Sequence, residues 1–132
     1  MKARFAILAA ACAAILCSCA SAPAEIPADA PARILVQRAQ EAMDKYDYDE
    51  AVRYYVALKE RYGEDPAYLC TADYEIAFIA YKQDRFAEAK LGLEELLARY
   101  AAPGGASLPP HFKILAEKVL EQIEAKTAAP AK

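Results

Sequence analysis

A seventeen-residue pattern occurs twice in this chain. YDYDEAVRYYVALKERY, Tyr46 to Tyr62, returns 38 positions later as DRFAEAKLGLEELLARY, Asp84 to Tyr100. In that register Tyr48 meets Phe86, Glu50 meets Glu88, Ala51 meets Ala89, Tyr55 meets Leu93 and Leu58 meets Leu96, and both copies end in Arg-Tyr. The register runs backwards too, with Ala39 over Ala77 and Ala42 over Ala80. Repetition at a period of this size marks one helical unit stacked on its own copy, because a single helix pair cannot bury its apolar face alone.

The periodicity within each copy is helical. Apolar residues recur three and four apart, Gly and Pro fall only at breaks, and no alternating strand pattern is present. The spacing predicts helices over 32–45, 48–62, 66–82, 84–100 and 109–125. Asp65-Pro66 is a helix start, with Asp accepting from the orphan N–H groups and Pro suited to the first turn. Gly63 marks the end of the helix before it. Asp47 with Glu50 three residues on makes a capping box, and Ala102 to Pro110 is the strongest break. The expected fold class is all-α: two antiparallel helical hairpins over 32–126, closed by a fifth helix that caps the open end.

On these residues the chain resembles the tetratricopeptide repeat family. In ADYEIAFIAYKQDRFAEA, Ala72 to Ala89, Ile76 takes that family's large aliphatic position, Ala77 its small one, Phe86 its aromatic and Ala89 its most regular alanine. Ala77 and Ala89 let the paired helices approach, and Phe86 fills the space beside them. Departures are Asp73 where Trp is common, Ala80 where Tyr is common and Asp84 where Gly is frequent. The first copy carries Arg38 at the aliphatic position, and the period exceeds the family's usual length of about 34. The resemblance implies a short right-handed solenoid of about two repeats plus a capping helix. A generic helical bundle is the competing reading.

The first residues carry a different message. Lys2 and Arg4 precede an apolar run from Phe5 to Leu16. That run is shorter than the roughly 20 residues a spanning helix needs, so it reads as a removable export signal over 1–18. A buried N-terminal helix is the alternative. Leu16-Cys17-Ser18-Cys19 resembles the lipobox of bacterial lipoproteins, in which the thiol of Cys19 takes a diacylglycerol before cleavage. Cutting after Ala20 or Ala22 by an ordinary signal peptidase competes with it. Ala20, rather than Asp, implies outer-membrane sorting. Several acyl chains on one cysteine would anchor the protein stably, since each buried methylene contributes about 0.8 kcal/mol. Residues 19–31 read as a lipidated Cys followed by an Ala/Pro-rich tether, and 127–132 as a disordered tail.

Chemistry is sparse. With Cys12 and Cys17 in the leader and Cys19 lipidated, Cys70 is alone and reads as a small buried hydrophobe rather than a redox group. The leader takes two of the sixteen basic residues and none of the nineteen acidic ones, so 19–132 carries 14 against 19, a net charge of −5. Such a chain is a poor binder of nucleic acid, and charge does not draw it to an anionic membrane. His111 has no partner ligands at metal spacing. Asp44, Asp47, Asp49 and Glu50 match no register of a calcium loop, and Gly104-Gly105 lacks the Lys of a phosphate loop. The expectation is no enzyme, metal or cofactor beyond the covalent lipid.

In the resembling family the first helix of each hairpin lines a concave face. By position that face comprises Val36, Gln40 and Met43 from one copy and Tyr74, Phe78, Tyr81 and Lys82 from the other, flanked by Arg33, Asp44 and Thr71. Tyr74, Phe78 and Tyr81 form an aromatic stripe that serves either as core beneath the last helix or as a binding surface. The expected function is a membrane-anchored periplasmic adaptor that binds a protein or peptide partner, with outer-membrane assembly or envelope biogenesis as its setting. The lipobox and the Arg-Tyr helix ends resemble the outer-membrane assembly lipoprotein family in this respect. A carrier of a small apolar ligand and a self-assembling scaffold are the alternatives.

Overall fold

The computed structural model describes residues 23–128, and within them every regular element is helical: α1 (Ala32–Asp44), α2 (Tyr48–Tyr62), α3 (Pro66–Lys82), α4 (Phe86–Ala101), a short 3-10 turn (Gly105–Ser107) and α5 (Pro110–Ala128). Cys19, the leader and residues 129–132 lie outside the described residues. Each helix packs on the next in sequence, and α5 also reaches α3. None of the described helices is long and apolar enough to cross a membrane.

The repeat seen in the letters is present in the backbone. After α1, the amides of Lys45, Tyr46 and Asp47 donate to the carbonyls of Ala42, Met43 and Ala42; after α3, Gln83, Asp84 and Arg85 donate to Ala80, Tyr81 and Ala80. Tyr46 and Asp84, 38 positions apart, both sit in the left-handed region, at φ 59° and 58°. That region is disfavoured for any residue with a Cβ, so the shared turn is imposed by the helix pairs on either side. It also explains a difference from the spacing-based boundaries: α4 starts at Phe86 rather than Asp84, because Asp84 is consumed by the turn.

Burial follows the same register. Ala39 and Ala77, Ala42 and Ala80, Ala51 and Ala89, Tyr55 and Leu93, and Leu58 and Leu96 are all buried. α3 and α4 approach closely at Gly92, where an added Cβ would lie 3.0 Å from the Cβ of Ala77. Small residues at both positions let α3 and α4 touch, and Phe86 lies half-buried at the end of that seam. The core has two parts that meet along α3. Leu35, Tyr55 and Leu58 gather with Ala72 and Ile79 on one side of it; Leu93, Leu96, Phe112 and Ile123 gather with Cys70, Tyr74 and Ala77 on the other.

Three local expectations change. Asp47 does accept from the Glu50 amide at 3.2 Å, but the Glu50 carboxylate pairs with Arg53 instead of returning to close a capping box. Arg85, the equivalent residue, makes no side-chain cap and pairs with Glu88. The segment read as a tether is docked from Ala24 onwards. Arg53 donates to the Ala24 carbonyl at 2.9 Å, Arg61 to Pro27 at 2.6 Å and the Tyr62 hydroxyl to Ala30 at 2.9 Å. An extended, proline-punctuated chain leaves its carbonyls without regular partners, and α2 presents three donors to take them. At the other end α5 continues through Thr127, whose hydroxyl donates to the Ile123 carbonyl at 2.9 Å, so the helix outlasts the expected boundary at 126.

Candidate binding face

The seven positions expected on the concave face separate into three environments. Gln40 and Lys82 are exposed. Val36 and Met43 are half-buried against the Tyr55, Ala72 and Ile79 side of the core. On α3 the aromatics form a ladder: Tyr74 stacks on Phe78 at 5.7 Å, Phe78 on Tyr81 at 5.9 Å, and Tyr81 meets Phe86 at 6.0 Å. Only one rung is sealed. Tyr74 is 7% exposed, lying 5.7 Å from Phe112 of α5. Phe78 and Tyr81 keep part of their surface open, and Lys126 crosses the far end with its Nζ 4.7 Å from the Tyr81 ring and 5.4 Å from Phe86. The last helix therefore covers the ladder at its two ends and leaves the middle accessible. Tyr74 belongs to the core, and Phe78 stays partly buried.

Glu75 is the residue that positional reasoning passed over. It shares a helical face with Thr71, Phe78 and Lys82, at spacings of four, three and seven residues. Its side chain is half-buried, and burial alone pushes its carboxyl above the ordinary range, with no hydrogen bond or cation offsetting the desolvation. Tyr55 of α2 and Tyr74 of α3 both feel its charge. Burial first and Glu75 second raise both, Tyr74 to about 12 and Tyr55 further. A sequence signal existed: Glu75 is the lone charge in the run from Tyr74 to Tyr81.

Asp73, two residues away, has the opposite environment. Its carboxylate is 9% exposed and joins Lys59 of α2 at 2.6 Å and Arg99 of α4 at 2.9 Å. It ties the outer helix of one hairpin to the outer helix of the next. Leu35 stands at the equivalent place in the first copy, so Arg61 has no such acid and uses the Pro27 carbonyl instead. The groove beside this pair, about 200 Å³, is lined by Ile76, Ala77, Leu91 and Gly92 and already occupied at its edge by the Lys59–Asp73 contact.

Two further reactive side chains, Cys70 and His111, lie outside the ladder. The Cys70 thiol is fully buried, and burial pushes it up. It lies 3.8 Å from the Tyr100 hydroxyl, which donates to the Pro109 carbonyl at 2.6 Å. His111 is exposed with its ring against Phe112 at 4.1 Å. Among the described residues no group of three or more His, Cys, Asp or Glu could hold a metal ion.

Comparison with known proteins adds a distant relative and no function. No protein-family model matches the chain, and no solved structure matches it. An uncharacterized protein of Treponema pallidum (strain Nichols) is 33% identical over 99 residues, which is 74% of this chain and 40% of that protein. The chain thus spans well under half of this relative's length. Among the described residues the fold is all-helical, with two equivalent hairpins and a closing helix.

Proposed function

We propose that this protein is a membrane-anchored, periplasm-facing adaptor, built as a short right-handed tetratricopeptide-type stack, that holds a segment of a partner protein against the face between α1 and α3. The observation that carries the reading is the stacked aromatic ladder of α3, whose middle rung Phe78 stays only partly buried between the two ends that α5 covers. Aromatic anchors set in a partly desolvated surface dominate interface energetics. The hairpin turns repeated at 38 residues support the stacking, and the Leu16–Cys19 motif supports lipidation at Cys19 and outer-membrane residence. Function through binding rather than catalysis is supported by the isolation of His111 and the burial of Cys70. A small-ligand carrier has less in its favour, because ligand cavities run to about 300–1,000 Å³, whereas the groove beside Asp73 holds about 200 Å³ and the one beside Tyr100 about 240 Å³.

Two experiments test the reading. A photo-crosslinking amino acid at Gln40 or Lys82 should trap a discrete partner in intact cells, while the same probe at Glu117 on the outside of α5 should not. Equal labelling from both positions, or none from the first two, rejects the face. Cys19→Ala should abolish labelling by radioactive palmitate and release the protein from membranes, and continued membrane residence with no incorporated lipid rejects the anchor.

A further inference from the structure

The two hairpins carry the same groove and line it differently. In the second hairpin it is bounded by Ile76, Ala80, Glu88 and Gly92, beside the Lys59–Asp73 contact. The residues 38 positions earlier, Arg38, Ala42, Glu50 and Tyr54, bound a groove on the first hairpin. One backbone arrangement produces both, so the first copy is an internal control for the second.

In that control the groove is polar. Arg38 pairs with Glu41 at 3.0 Å on its wall, and Tyr54 is half-buried against the first core cluster. In the second copy Ile76 stands for Arg38, Leu91 for Arg53, and Gly92 for Tyr54. Leu91, 59% exposed, forms the lip of the resulting apolar groove. A solitary exposed leucine is ordinary, but this one continues an apolar floor. Because the first hairpin folds with polar residues at these places, hairpin packing does not demand the apolar ones. They suit a surface that another molecule desolvates.

The size and the rim select the occupant. A space of about 200 Å³ lies below the range of about 300–1,000 Å³ for small-molecule sites and suits one inserted side chain. Gly92 leaves vacant the place where Tyr54 carries a ring, and aromatic anchors seated in pockets dominate interface energetics. At the rim Asp73 is satisfied by Lys59 and Arg99, and Glu88 by Arg85. Glu95 is exposed at the groove and has no cation partner among the described residues. A basic residue next to the ring would complete it.

We propose that the groove between α3 and α4, at the edge of α2, docks a partner polypeptide that inserts an aromatic side chain over Ala80 and Gly92 and sets an adjacent Lys or Arg against Glu95. Ile76, Ala77 and Ala80 lie about a third of a turn around α3 from the aromatic ladder. The site is therefore separate from the ladder and goes beyond the adaptor reading without depending on it.

Titrating the detergent-solubilised full chain, labelled at isoleucine and leucine methyl groups for NMR, with acetyl-Phe-Arg-amide tests the proposal. The Ile76 and Leu91 methyl signals should shift saturably at millimolar peptide. Acetyl-Gly-Arg-amide should bind at least about tenfold more weakly for want of the ring. Acetyl-Phe-Glu-amide should bind about two- to fivefold more weakly, the scale of an exposed ion pair, and Glu95→Gln should remove that difference. Leu91→Arg installs the first-copy residue at an exposed position, so it should keep its helical circular dichroism and melting temperature while losing the Ile76 shift. Unmoved Ile76 and Leu91 signals, equal binding of the Phe and Gly peptides, or a shift that survives Leu91→Arg overturns the site. Tighter binding of acetyl-Leu-Arg-amide overturns the aromatic occupant, and an Arg preference that survives Glu95→Gln overturns the basic neighbour. Crosslinking from Gln40 and Lys82 reports on the other face, so failure there and failure here are read separately.

Discussion

Removing the Asp73 carboxylate tests how the two hairpins are held in register. The side chain is 9% exposed, whereas Lys59 and Arg99 are 44% and 43% exposed. A fully buried pair broken on one side costs about 3–5 kcal/mol, because the survivor is left charged and dry. Here both survivors keep water, so each pair falls nearer the exposed range of about 0.2–1 kcal/mol. Desolvation of the shared carboxylate moves both towards the top of that range. Asp73→Asn should therefore cost about 1–2 kcal/mol. For a domain of this size that lowers the melting temperature by roughly 4–8 °C per kcal/mol. Urea titrations of wild type, Asp73→Asn, Lys59→Met and the double variant supply a cycle whose coupling should be about 0.5–1 kcal/mol. At about 1 M salt, where the screening length falls to about 3 Å, the cost should shrink because the cations are solvent-facing. A loss below about 0.3 kcal/mol at low salt, or additive single variants, would refute the staple.

Other perturbations separate neighbouring residues with different roles. Leu93→Ala should cost about 2–5 kcal/mol, since Leu93 is fully buried, whereas Leu91→Ala, at a side chain 59% exposed, should stay within about 0.5 kcal/mol; similar losses in denaturant titrations would reject the assigned face of α4. Tyr46→Gly should stabilise by roughly 0.5–1 kcal/mol by relieving the left-handed backbone, and Tyr46→Ala should not; equal melting temperatures for the two variants argue against strain at the turn. Burial raises the Glu75 carboxyl above its ordinary value of 4.5, so between those two values the folded chain holds a proton that the unfolded chain has released. Wild-type stability accordingly falls as pH rises through that window. The advantage of Glu75→Gln should be absent below pH 4.5, grow between 4.5 and the raised value, and stay constant above it; a difference that is flat with pH contradicts the desolvated carboxylate.

Much of the architecture was legible in the letters because a repeat is read twice. The alignment of Ala51 with Ala89, Tyr55 with Leu93 and Leu58 with Leu96 identified buried positions without any coordinates. Helix boundaries were legible wherever a cap or breaker imposes them, as at Asp65-Pro66, where Asp65 accepts from the Ala67 amide at 2.8 Å. The boundary failed at Asp84, where nothing in an Asp announces a positive φ. The closed capping box failed at Glu50 because Arg53, three residues on, competes for the same carboxylate. These are contests between local partners, and the distance that settles each is a property of the folded backbone.

The amino-acid order alone determined an all-helical chain, its division into two equivalent hairpins and a closing helix, and the small-residue seam at Ala77. All of these follow from periodicity, which acts within one helix or between copies of it. Which aromatic of the ladder is sealed, and which acid is paired, depended on where α5 and the outer helices come to rest. Phe112 packs on Tyr74 and leaves it 7% exposed, and Lys59 and Arg99 converge on Asp73 but not on Glu75. Solvation and pairing are set by neighbours distant in sequence, so only the tertiary packing could decide them.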